Sequence, residues 1–270
     1  MVKHLTPADI ELIKLRYIAK VPVKEISSEV GFSCFTVHKT IRSFGLSRYE
    51  ARPPKPVNSL LFCDMGPIER YWLGMLITDG SITKHRVKLS LACPDRDAVD
   101  GFCAFVNNEG KVTSHKNECT FRFSSVEVSD RLKAMGVRER KTQTAEAPNF
   151  VLDDFDFWRG VIDGDGGINI YARPLLGLTG HKGSKLLKQW ADFISRNIKG
   201  FCPNVVPRKD QPTTCDVRIN GARAVYIIKK LYARQGPVLQ SMKSAALAAL
   251  LWSPKNAKKC PFIDTERFYE

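Results

Sequence analysis

Two aspartates, Asp79 and Asp165, are the side chains best placed to do chemistry. Each closes a short apolar stretch and is followed at once by glycine: Tyr71-Trp72-Leu73-Gly74-Met75-Leu76-Ile77-Thr78-Asp79-Gly80, and Phe157-Trp158-Arg159-Gly160-Val161-Ile162-Asp163-Gly164-Asp165-Gly166. The acids lie 165 − 79 = 86 positions apart. A carboxylate at a helix C-terminus meets the negative end of the helix dipole. Two carboxylates brought together repel, so one is pushed to keep its proton. Both costs are relieved by a cation, and Mg2+, which prefers oxygen ligands and keeps several waters, suits a carboxylate pair. Asp79, Asp165 and the glycines after them, Gly80 and Gly166, form the candidate metal set.

Two elements must bring these acids together. Gly74 and Thr78 are four apart in the first stretch, as are Gly160 and Gly164 in the second. Residues four apart share a helix face. Small residues on that face let another helix come close, and its natural partner is its own duplicate. Side by side and parallel, the two helices end together.

The chain around them repeats. After Asp79-Gly80-Ser81 the period changes to two: Arg86, Lys88 and Ser90 alternate with Val87, Leu89 and Leu91, a half-buried strand with a basic outer face. A helix over 95–106, strands over 111–115 and 119–124, and a helix over 129–135 follow. From 155 the pattern recurs: a helix over 155–164, strands over 169–173 and 175–179, a helix over 185–198, strands over 205–208 and 215–220, and helices over 222–232 and 241–251. Each half reads helix, two strands, helix, two strands, helix.

Ahead of the repeat, residues 6–46 read as three short helices, opened by Thr6-Pro7 and joined through Gly31-Phe32-Ser33. The third helix turns Val37 and Ile41 inward and leaves Thr36, His38, Lys39, Thr40 and Arg42 outward. Helix, glycine turn and a basic outward helix form the helix-turn-helix pattern. The segment Val23-Lys24-Glu25-Ile26-Ser27-Ser28-Glu29-Val30-Gly31-Phe32-Ser33 resembles the small modules of resolvases and phage regulators. The expected organisation is a helix-turn-helix domain (1–48), a Pro-rich linker (49–65) around Arg52-Pro53-Pro54-Lys55-Pro56, two halves (66–146 and 147–253) and a tail (254–270).

Composition agrees with a polyanionic partner. The chain of 270 residues is 43% hydrophobic and carries a net charge of +14, with a pI near 9.5. Its eight cysteines contain no Cys-x-x-Cys pair. There is no signal peptide and no apolar run of membrane-spanning length, so a soluble, reduced, intracellular protein is expected.

The paired segments resemble the motifs of the LAGLIDADG homing endonucleases in their single-chain, two-motif form, over roughly residues 66–251. The resemblance implies an α+β fold: two pseudo-symmetric αββαββα halves, a saddle whose sheets enter the DNA major groove, and a monomer. It implies a metal-dependent double-strand DNA endonuclease with a long target site and 3′ overhangs. Asp79 and Asp165 become the metal-binding acids. Lys141 and Lys243 match the lysines that some members place near each centre, where a cation stabilises the charged transition state. Lys39, Arg42, Arg86, Lys88, Arg122, Arg173 and Arg218 are candidate DNA contacts. Two departures stand out: Asp163 occupies a position where the first copy has Ile77, and Arg159 stands where it has Leu73. Arg159 is expected to reach DNA or an acidic neighbour. No splicing residues flank the domain, so a free-standing protein is expected. An RNA maturase and a catalytically inactive DNA-binding regulator are the alternatives; the retained acid pair weighs against the second.

Overall fold

A computed structural model describes residues 4–45, 57–106, 110–139, 143–170, 173–233 and 236–252. The chain divides into two compact units, one up to residue 54 and one from residue 55 on.

The first unit holds α1 (Pro7–Ile18), α2 (Val23–Val30) and α3 (Cys34–Ser43). Thr6 caps α1 through a capping box with Asp9. Gly31 ends α2 in the left-handed region (φ 67°), which a residue without Cβ adopts at no cost, and Ser33 caps α3. Ile13, Ile26, Val30, Val37 and Ile41 form its core. Lys39 and Arg42 are exposed on α3. Thr40, expected to face outward, is buried; its hydroxyl is absorbed by the Thr36 carbonyl at 3.1 Å.

The second unit contains the repeat. Its first half is α4 (Pro67–Thr78), β1 (Gly80–Thr83), β2 (Arg86–Ala92), α5 (Arg96–Val106), β3 (Thr113–His115), β4 (Glu118–Ser124) and α6 (Val126–Ala134). Its second half is α7 (Phe155–Asp165), β5 (Gly166–Ile170), β6 (Pro174–His181), α8 (Lys185–Asn197), β7 (Val205–Pro207), β8 (Thr214–Asn220) and α9 (Ala222–Tyr232), followed by α10 (Gln240–Leu250). Both sheets are antiparallel and share one strand order, β1-β2-β4-β3 and β5-β6-β8-β7. The fold is α+β, with the two αββαββα halves expected.

Several strand boundaries differ from the sequence reading by a few residues, β3 starting at Thr113 and β6 running to His181, and two differences lie at the helix ends. β1 was not separable from the turn after Asp79, and β5 begins at Gly166 rather than 169. In both halves the helix passes straight into a strand, so glycines that look like turn residues are paired: Gly80 with Leu89, and Gly166 with Leu178.

One core runs through both halves. Trp72 packs on Phe102 at a centroid distance of 5.1 Å, and Trp158, its counterpart, on Trp190 at 5.2 Å. Each sheet turns one face to its helices, burying Val87, Leu89 and Phe121 in the first and Leu176, Leu178 and Val217 in the second. The other face is left polar, as is common for antiparallel sheets.

Candidate functional site

The two halves meet through α4 and α7, and the contact is reciprocal. A Cβ on Gly74 would collide with the Phe157 carbonyl oxygen, and one on Gly160 with the Tyr71 carbonyl oxygen. Since 160 − 74 and 157 − 71 both equal 86, the pattern is that of a pseudo-twofold axis. The helices run parallel, because the contacts advance together: Gly74 against Phe157 and Val161, then Gly164 against Thr78 and Asp79. At the N-terminal ends, Arg70 of α4 pairs at 2.7 Å with Asp154, the N-cap of α7.

This packing brings the helix C-termini together. Asp79 is the C-cap of α4 and half-buried; its backbone N–H donates to the Met75 carbonyl at 2.9 Å. Its Oδ2 lies 2.6 Å from where a Cβ on Gly164 would stand. Asp165, the last residue of α7, is more exposed and opens onto a recess of about 150 Å³ beside Thr78, Thr179, His181 and Ser184. A Cβ on Gly80 would meet the Leu76 carbonyl at 2.6 Å, and one on Gly166 the Ile162 carbonyl at 2.6 Å. Only glycine lets the chain fold back so closely behind each acid.

The donor set suits a hard divalent cation. Two carboxylates at adjoining helix ends would supply oxygen ligands. Among the described residues, no cluster of three or more His, Cys, Asp and Glu is gathered to hold a metal on its own. A cation here would therefore complete its shell with water or substrate oxygens, the usual habit of Mg2+.

Lys141 lies outside the described residues. Lys243 is exposed in the first turn of α10, which packs against β5, the strand that leaves Asp165. Asp163 fixes the start of that helix. Its carboxylate accepts from the Tyr71 hydroxyl at 2.9 Å, the Tyr232 hydroxyl at 2.6 Å and the Leu239 backbone N–H at 2.9 Å. Burial pushes the Asp163 carboxyl up to about 6, against the pull of these donors and of Arg159. Burial, and then the Asp163 charge, hold the Tyr71 and Tyr232 phenols well above their usual range. Arg159 does meet an acidic neighbour: it is buried, 3.1 Å from Asp156, donates to the Leu231 carbonyl at 3.2 Å and sits over the Tyr71 ring. The role of Asp163 was missed in the sequence because its partners are 69 to 92 residues away.

The basic residues line the open sheet faces. Arg86 and Arg122 are exposed on β2 and β4; Lys88 stands opposite Arg122, its ammonium 3.2 Å from Glu118. Arg218 is exposed on β8, and Arg173 just before β6. Asp216, unremarked in the sequence, accepts from both Arg218 and Thr179. Its signal was present: two residues before Arg218 on one strand, it shares that residue's face.

No protein-family model and no curated protein matches the chain. Solved structures do. The chain is similar to the LAGLIDADG homing endonuclease I-GzeII in complex with its DNA target (11% identity, TM-score 0.48, covering 68% of this chain and 89% of that one). It is similar to the LAGLIDADG homing endonuclease I-LtrWI bound to target DNA (12%, 0.44, 66% and 87%). A third is the meganuclease I-SmaMI bound to uncleaveable DNA (9%, 0.49, 69% and 90%).

Proposed function

We propose that the chain is a site-specific, Mg2+-dependent double-strand DNA endonuclease of the LAGLIDADG homing type, acting as a monomer. The observation that supports this reading is the reciprocal packing of α4 and α7, which draws together the helix ends that carry Asp79 and Asp165, each leading into the first strand of a sheet with basic residues on its open face. A helix interface satisfied within one chain needs no second copy. The net charge of +14 suits a polyanionic duplex.

Asp79 and Asp165, with the backbone at Gly80 and Gly166, would hold the metal. Bound there, Mg2+ would supply an activated water and charge neutralisation at the scissile phosphate. The chain's own residues do the rest. The paired carboxylates fix where the backbone must lie, one acid serving each strand. Lys243 and Lys141 would stabilise negative charge developing on the phosphate. Arg86, Lys88, Arg122, Arg173 and Arg218 would contact the duplex along the sheets, through phosphates or base edges. The helix-turn-helix unit, through Lys39 and Arg42, would add a tethered second contact and raise affinity through effective concentration. Among the described residues no helix is long and apolar enough to cross a membrane.

Selection of cut sites from a randomised duplex library, with Mg2+ and with EDTA, tests the reading. Cutting at one extended sequence with Mg2+ alone supports it. RNA bound in preference to duplex DNA, with no cutting, would replace it with a maturase.

A further inference from the structure

We propose that Arg218 reads a guanine in the half-site under the second sheet, and that Asp216 is the positioning residue that holds it to do so. This rests on the DNA-cleaving reading above and sorts one of its basic residues into base recognition.

The two sheets can be aligned through their pairing. Gly80 pairs with Leu89 and Gly166 with Leu178; across from these stand Phe121 and Val217. One step along, Arg122 and Arg218 occupy equivalent outward positions. Their surroundings differ. Where the first sheet has Thr120, the second has Asp216; where the first has Lys88 opposite the arginine, the second has Gly177.

Those differences immobilise Arg218. Its guanidinium donates to Asp216 Oδ2 at 2.5 Å, and Asp216 Oδ1 accepts from the Thr179 hydroxyl at 2.7 Å. Asp216 is only 8% exposed, so both carboxylate oxygens are fixed. The aliphatic stem crosses Gly177, where a Cβ would stand 3.4 Å from Arg218 Cγ. The Arg218 side chain remains 55% exposed and borders a groove of about 550 Å³ lined by Gly166, Gly167, Ile168, Arg173 and Gly177.

An arginine so paired is poorly suited to phosphate. The neighbouring carboxylate cancels much of its charge and repels a second anion. A guanine edge offers two neutral acceptors, O6 and N7, which a fixed fork of N–H donors meets without that repulsion. On the first sheet the Glu118 carboxylate is taken up by Lys88 at 3.2 Å and the Thr120 hydroxyl at 3.1 Å, which leaves Arg122 suited to phosphate. The guanine preference argued here is that of the Arg218 half-site.

The test uses the full-length protein and a randomised duplex DNA library, with bound sequences recovered in EDTA. The wild type should enrich a site containing one strongly preferred guanine. Arg218→Lys and Asp216→Asn should each reduce the preference at that base pair about tenfold or more, with the other positions unchanged, which also shows that the variants fold. Arg218→Ala should leave the slope of log affinity against log salt unchanged. A slope lowered by about 0.9, or an unchanged base profile in both conservative variants, overturns the proposal while leaving the nuclease reading intact. A wild type that enriches no sequence overturns both.

Discussion

Gly74 and Gly160 are packed against each other's helices in the same way, each with its Cα under a backbone carbonyl of the other, Phe157 and Tyr71 respectively. The relationship ties a sequence repeat to a site: the helices can approach this closely only where both lack a side chain, and the approach draws together the helix ends that carry Asp79 and Asp165.

Gly74→Ala and Gly160→Ala are therefore expected to destabilise the second unit by about 3 kcal/mol or more, because the obstacle is backbone and cannot yield. Gly101, on the exposed side of α5, has only the Trp72 ring edge near, at 3.8 Å. Gly101→Ala should stabilise by roughly 0.5–1 kcal/mol through helix propensity. Urea denaturation measures both; equal effects at the three positions would contradict the packing.

The carboxyl of Asp163 sits near 6 in the folded chain against an ordinary 3.8. The folded chain thus keeps a proton that the unfolded chain releases. Its stabilising effect is full below about 3.8 and is lost as pH rises through about 6. Wild type should exceed Asp163→Asn in stability by more at pH 4 than at pH 8, by on the order of 3 kcal/mol. A pH-independent gap would show that Asp163 is ionised throughout.

Arg159 and Asp156 form an ion pair with both side chains only 2% exposed. Asp156→Ala should cost about 3–5 kcal/mol, since it leaves a buried charge without its counter-ion. Combining it with Arg159→Leu should recover much of that loss. Additive losses would mean that the two residues act independently.

Lys39 and Arg42 are exposed on α3. Replacing both by alanine should weaken binding to duplex DNA and lower the salt slope by up to about 2, with stability changed by under about 0.5 kcal/mol. An unchanged slope, measured by titration at several salt concentrations, would remove the first unit from the DNA contact.

Much of this was legible in the sequence for a definite reason. The motif helices, the change of period at Arg86 and the second copy are local patterns, and duplication made each half a check on the other. Gly74 and Gly160, each four residues before a small residue on the same helix face, point to a close helix contact. What stayed hidden was long-range. Asp163 looked like a variation of the motif until Tyr71, Tyr232 and Leu239 closed on it. β1 and the start of β5 were obscured because glycine favours turns, whereas here pairing with Leu89 and Leu178 decides. Thr40 looked outward by its polarity, yet its hydroxyl bonds within its own helix.

The most direct measurement is cleavage of a selected duplex by wild type, Asp79→Asn and Asp165→Asn, each in Mg2+ and in EDTA, with binding followed alongside. The account predicts double-strand cutting by the wild type in Mg2+ only. Each variant should lose at least about a hundredfold in cutting rate while still binding the same site. Undiminished cutting by both variants would contradict the placement of the metal centre at Asp79 and Asp165.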